Sequence, residues 1–134
     1  MSFDKKILDD ISWSFGFGSF GNQTVFTQEL KEYNDAVNRS GINYNQIILK
    51  SKSIIVLYEA YNIGTNDFDD KQVRIEANNG TSFSIAELMF KLNEAVSPSI
   101  KELDKRFFEG LTFETADNPA ADFGIPIYLL NVGS

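Results

Sequence analysis

Between Ser53 and Val96 the sequence runs through three hydrophobic patterns in succession, and their order limits the fold. Residues 53–61 are apolar on both faces (Ile54, Ile55, Val56, Leu57), the pattern of a central strand. Residues 71–78 alternate, with Val73, Ile75 and Ala77 on one face and Gln72, Arg74 and Glu76 on the other. Asn79-Gly80 follows. Both residues tolerate the positive φ of a type I′ turn, so a hairpin with a brief return strand over 81–83 is expected. Ser84 and Glu87 then have the spacing of a capping box, and Phe83 and Leu88 that of a hydrophobic staple. Ile85, Leu88, Met89, Leu92, Ala95 and Val96 continue as one helical stripe. Strands joined by short turns are antiparallel, and a helix that follows them packs across their face. A chain built round this segment is α+β.

The flanks supply the remaining elements. Phe3, Ile7, Leu8 and Ile11 fall at helical spacing, which predicts a short opening helix over 3–11. Residues 12–21 alternate glycine with Trp13, Phe15, Phe17 and Phe20, as in extended chain or a loop that folds its rings inward. A helix is expected from Thr27 to about Asn38, with Leu30, Tyr33, Ala36 and Val37 inward and Gly41 as its stop. A short apolar strand over 46–50 leads into the central one. Pro98 should stop or kink the later helix at Ser97, and Ser99 with Glu102 repeats the capping-box spacing for a further turn through Asp104. Two closing strands, 107–114 and 127–132, flank a polar loop with Asp117, Asn118, Pro119 and Asp122, and Pro126 belongs at a strand's start or on an edge. The expected architecture is a single domain over residues 1–134, an antiparallel sheet of roughly five to six strands with two main helices packed on one face.

Such a fold must be held by its core alone, because the chain has no cysteine. Twelve phenylalanines spread from Phe3 to Phe123 supply that core. Histidine is absent as well. Thiolate nucleophiles, cysteine-ligated zinc or iron–sulfur sites, a Ser-His-Asp triad and a zinc hydrolase site are thereby excluded within the chain. No cofactor and no metal is expected. The net charge of −7 argues against nucleic acid, whose phosphates need a basic face, and suits a basic protein partner. Residues 1–10 carry Asp4, Asp9 and Asp10 without an apolar run, and no stretch is long enough to span a bilayer, so a cytoplasmic, membrane-free chain is expected.

Gly16, Gly18 and Gly21 match the G-x-G-x-x-G phosphate-loop pattern. The helix begins too late, however, and the strand ending at Lys50 carries no acidic ribose ligand. A loop whose rings (Trp13, Phe15, Phe17, Phe20) enter the core or meet a partner fits better. Asp67, Asp69 and Asp70 resemble the start of a calcium loop, but the fifth and sixth positions are Lys71 and Gln72, which breaks the pattern. They read instead as an acidic turn able to dock a basic partner. Glu59 interrupts the central strand beside Tyr58 and Tyr61, and burial there would suit a proton donor. Phe107 and Phe108, adjacent on a strand, must point to opposite faces, one into the core and the other toward a partner or a second subunit.

These features favour a non-enzymatic protein-binding module. One specific form is a small acidic immunity or antitoxin-like protein that neutralises a basic partner. The alternative is a small-molecule-binding or carboxylate-dependent enzyme with Tyr58, Glu59 and Tyr61 in a pocket between sheet and helices. A further alternative is a homodimeric structural subunit, paired through a free strand edge or the outward ring of the Phe107-Phe108 pair.

Overall fold

In chain order the elements are β1 (Lys6–Ile7), β2 (Trp13–Ser14), a 3-10 turn (Phe15–Phe17), α1 (Gln23–Ala36), β3 (Ile47–Leu49), β4 (Ser53–Asn62), β5 (Asp67–Glu76), β6 (Phe83–Ser84), α2 (Ile85–Ile100), β7 (Phe107–Phe113) and β8 (Ile127–Gly133). They come from a computed structural model, which describes residues 3–62, 64–114 and 124–134. The expected polar loop with Asp117, Asn118, Pro119 and Asp122 lies outside the described residues.

The doubly apolar run becomes the interior strand β4, paired along its length with β5 and on its other side with β8. The sheet order is β1-β7-β8-β4-β5, and β2 joins β1 on the edge of β7. β3 and β6 form a separate two-stranded ladder. The class is α+β as expected, but the sheet is mixed, because Ile55–Leu57 run parallel to Ile127–Leu129. The antiparallel rule governs strands joined by short turns, whereas β4 and β8 are joined through α2 and β7. Pro126 sits just before β8, where its carbonyl accepts a hydrogen bond from Ile55 N–H at 3.0 Å.

The core fills the space between this sheet and α2. Ile54, Val56, Phe108, Leu111 and Tyr128 from the strands meet Leu88, Met89, Leu92 and Val96 from the helix, and Phe26 and Leu30 of α1 join them. The cap on α2 forms at Ser84, whose hydroxyl accepts from Glu87 N–H at 3.1 Å. Glu87's own carboxylate turns instead to Asn78 N–H at 2.7 Å and to Lys91 at 2.8 Å. Proline does not end this helix. Ile100, 1% exposed, is drawn into the core and carries the last turn past Pro98, so Ser99 lies inside the helix and caps nothing.

Three local expectations are corrected. No helix forms over 3–11. Ile7, Leu8 and Ile11 are buried, but through two short strands on β7 and a turn at Leu8 with φ 61°. Helical spacing put these residues on one side of a short segment, and long-range pairing, not local propensity, fixed how they get inside. α1 starts at Gln23 rather than Thr27, because the Asn22 side chain caps Val25 N–H at 3.0 Å. Its stop is Asn38 (φ 64°), before Gly41 is reached, and Val37 is exposed. Lastly, Asn79-Gly80 makes a turn but no hairpin. Gly80 N–H closes on Ala77 O at 3.1 Å, while the Asn79 side chain takes the N–H groups of Thr81 and Ser82, both at 2.9 Å. The chain swings off β5, and Phe83 pairs with Leu49 of β3. Among the described residues no helix is long and apolar enough to cross a membrane.

Candidate functional site

The glycine–aromatic loop is tied down by two neighbours on α2. Asn93 is buried, its amide oxygen accepting from the Trp13 indole N–H at 3.0 Å and its nitrogen donating to Gly18 O at 2.9 Å. The Glu94 carboxylate accepts the N–H groups of Phe20 at 2.9 Å and Gly21 at 2.6 Å. Those amides are the ones a phosphate loop would aim at its anion. Here a side-chain carboxylate already occupies that place. Trp13 and Phe15 are buried, with Trp13 ringed by Phe17, Phe20, Phe26 and Tyr33 at centroid distances of 4.9–5.8 Å. Phe20 is half-buried, and Phe17 stands 59% exposed at the rim.

The sheet offers the larger surface. Side chains alternate along each strand, so the set that includes Ile54, Val56, Ile75, Phe108, Leu111 and Tyr128 enters the core. On the opposite side Ser53 and Ile127 are buried as well, while Glu59, Tyr61, Phe68, Asp70 and Leu129 are exposed. Phe108 is buried and Phe107 is 37% exposed, which is the division expected for the pair, and the Arg106 guanidinium lies 5.7 Å from the Phe107 ring centre. Leu129, Tyr61 and Phe68 share that exposure, the last two in edge-to-face contact at 5.4 Å. Tyr61 also bonds through its hydroxyl to Asn66.

Carboxylates stand between these apolar groups. Asp70 lies directly opposite Glu59 on the same face, and both are exposed. Glu109, also exposed, lies beside Gly133 at the bulge of β7. Glu76 accepts from the Ser53 hydroxyl and pairs with Arg74, each at 2.6 Å. The Ser53 hydrogen bond, then that of Arg74, holds its carboxyl below the ordinary range. Asp67 and Asp70 are exposed and Asp69 is half-buried. They begin the edge strand β5 and are not part of a turn, which lies at 64–66 instead.

Where β4 and β8 cease to pair, after Leu57 and Leu129, both strands run on and a groove of about 860 Å³ opens between them. In open α/β sheets ligands often sit in a crevice beyond the carboxyl ends of parallel strands. Tyr58 and Glu59 line one wall, Asn131 and Val132 the other, and Ile100 lies at the foot of α2. Lys6, Lys71 and Lys105 offset Glu59, Asp70 and Glu109 round the mouth. Tyr61 is not part of this lining. Glu59 is open to water, so the burial that the alternative pocket reading requires of it is not found.

Phe107, Asp70 and Glu59 are legible in the sequence, but their common face is not, because it depends on β8 coming between β7 and β4. Asn93 and Glu94 are not legible either. Their signal was a polar pair within the apolar stripe of α2, a place where a solvated face is the ordinary reading. Comparisons of the chain with protein-family models, with curated proteins and with solved structures give no match.

Proposed function

We propose that this chain is a non-enzymatic protein-binding module, and that the outward face of its sheet is the surface offered to a basic partner in the cytoplasm. The observation that carries this reading is the exposure, on one face of the sheet, of Tyr61, Phe68, Phe107 and Leu129 with Glu59, Asp70 and Glu109 set among them. Tryptophan, tyrosine and arginine are enriched among the few residues that dominate protein interfaces. Carboxylates round them raise the encounter rate with a positive surface and reject negative ones. With a net charge of −7 the whole molecule adds to that field. An immunity-type protein that neutralises a basic toxin is the specific form these properties suit. The loop carrying Trp13 and Phe15 serves the core in this reading, and Phe17 is its one ring left largely open.

The test is affinity capture from the organism of origin at low salt, with wild type and Leu129→Arg as baits. A stoichiometric basic protein held by wild type and lost with Leu129→Arg supports the proposal. Its association rate should fall roughly tenfold or more as salt shortens the Debye length. A small molecule co-purifying in the groove beside Tyr58 and Glu59, with no protein partner, overturns it in favour of the ligand-pocket reading.

A further inference from the structure

Strand β5 ends the sheet order, so among the described residues no strand lies along one of its sides. Two bonds show which of its backbone groups face that side. Ala77 N–H reaches Lys52 O at 2.8 Å, and Ile55, which lies opposite Arg74, sends its N–H the other way to Pro126 O at 3.0 Å. Hydrogen-bonded and non-bonded pairs alternate in an antiparallel ladder. The odd positions of β5 therefore bond to β4, while Phe68, Asp70, Gln72, Arg74 and Glu76 turn their N–H and C=O groups off the edge. At the two ends Phe68 N–H is taken by the Asp67 carboxylate at 2.8 Å and Glu76 O by Lys91 at 2.6 Å, which leaves Asp70, Gln72 and Arg74 as the row. The same five residues carry exposed side chains. A row of this kind templates another strand unless its side chains forbid it.

We propose that a second copy of this chain adds to β5, antiparallel and centred on Gln72, so that Asp70 of each copy lies opposite Arg74 of the other. The side chains select this register. Centring on Lys71 would bring two ammonium groups face to face. Centring on Val73 would set Asp70 against Glu76 twice. Centring on Gln72 places opposite charges together at both symmetry-related positions, and cross-strand neighbours of opposite sign stabilise pairing as like signs oppose it. The β4–β5 ladder supplies a second argument. Asp70 faces Glu59 within the chain, a like-charge pair, and the incoming guanidinium extends that row with a cation in line with both. Arg74 already bonds Glu76 at 2.6 Å and the Ser53 hydroxyl at 3.4 Å, but the ion pair joins two half-exposed groups and such pairs are worth little, so the guanidinium can turn to Asp70 of the other copy. Charges on an edge ordinarily discourage association. Here they are placed so that one partner, the same chain turned by a twofold axis, satisfies them.

This axis stands perpendicular to the sheet, so both outward faces lie on the same side of a continuous sheet. The proposal stands whether or not that face binds a basic protein, since the pairing uses the chain alone.

The experiment is sedimentation of the purified chain over a concentration series. Wild type should sediment as a dimer. Asp70→Arg and Arg74→Asp, confirmed as folded by circular dichroism, should each weaken association by about tenfold or more, since two pairs turn repulsive at once. Asp70→Arg/Arg74→Asp should dimerise again. Mixing the two single variants should give a heterodimer, because each then meets its complement at both positions. A wild-type chain that stays monomeric overturns the proposal and leaves the edge to a strand of another protein. So do single reversals that leave the dimer intact, or a mixture that fails to associate.

Discussion

The side-chain amide of Asn93 joins two segments far apart in the sequence, taking the Trp13 indole proton and giving its own to Gly18 O. Asn34 works likewise from α1, bonding to both backbone groups of Ser12. Both are fully buried, and among the described residues no buried side-chain polar atom lacks a partner. Replacing Asn93 by leucine leaves the indole N–H and Gly18 O without it. The fold should lose about 1–3 kcal/mol, the cost of stranding a buried polar group, measured by urea denaturation followed through the single tryptophan. Neither amide was legible as a structural residue. Hydrophobic patterning assigns polar side chains to the wet face, and a buried asparagine is recognised only once its partners are in place. Phe107 and Phe108 were legible for the opposite reason, since alternation along a strand needs no knowledge of the partner.

Among the elements, α2 and β4 were the plainest in the sequence because each carries its own signal, a capped amphipathic stripe and a doubly apolar run. The cap is testable alone. Ser84→Ala removes the acceptor for Glu87 N–H and should cost about 1 kcal/mol in thermal or chemical unfolding, a typical N-cap loss. β1 and β2 carried no such signal. Two residues each are too few for periodicity to distinguish strand from helix, and their course is set by β7, some hundred positions later. Gly110 shows how close that approach is: at φ 105°, an added Cβ would stand 2.9 Å from the Asp9 Cα. The Asn79-Gly80 turn was legible as a turn, but which strand its exit joins depends on β3, which lies outside any local window.

At the scale of the whole molecule, the hydroxyl of Tyr128 on β8 donates to Asp4 O at 2.7 Å and so binds the N-terminal segment to the middle of the sheet. Burial, with a smaller push from Asp4, raises this phenol from 10.0 to about 12. The fold therefore favours the neutral form. Its contribution is complete below pH 10 and is lost as pH rises toward 12. Alkaline titration followed by tyrosinate absorbance should show a late step that is absent in Tyr128→Phe. That variant should also be less stable at neutral pH by about 1 kcal/mol, one hydrogen bond's worth. The outward face was half legible: its residues could be named, but not their assembly, which depends on where β8 inserts. That insertion has a consequence during synthesis. β8 sits between β7 and β4 yet leaves the ribosome after both, and β1 and β2 have no edge to join until β7 emerges. Ile7 and Leu8 stay uncovered until β7 has been made, an interval in which a nascent chain is in need of a chaperone.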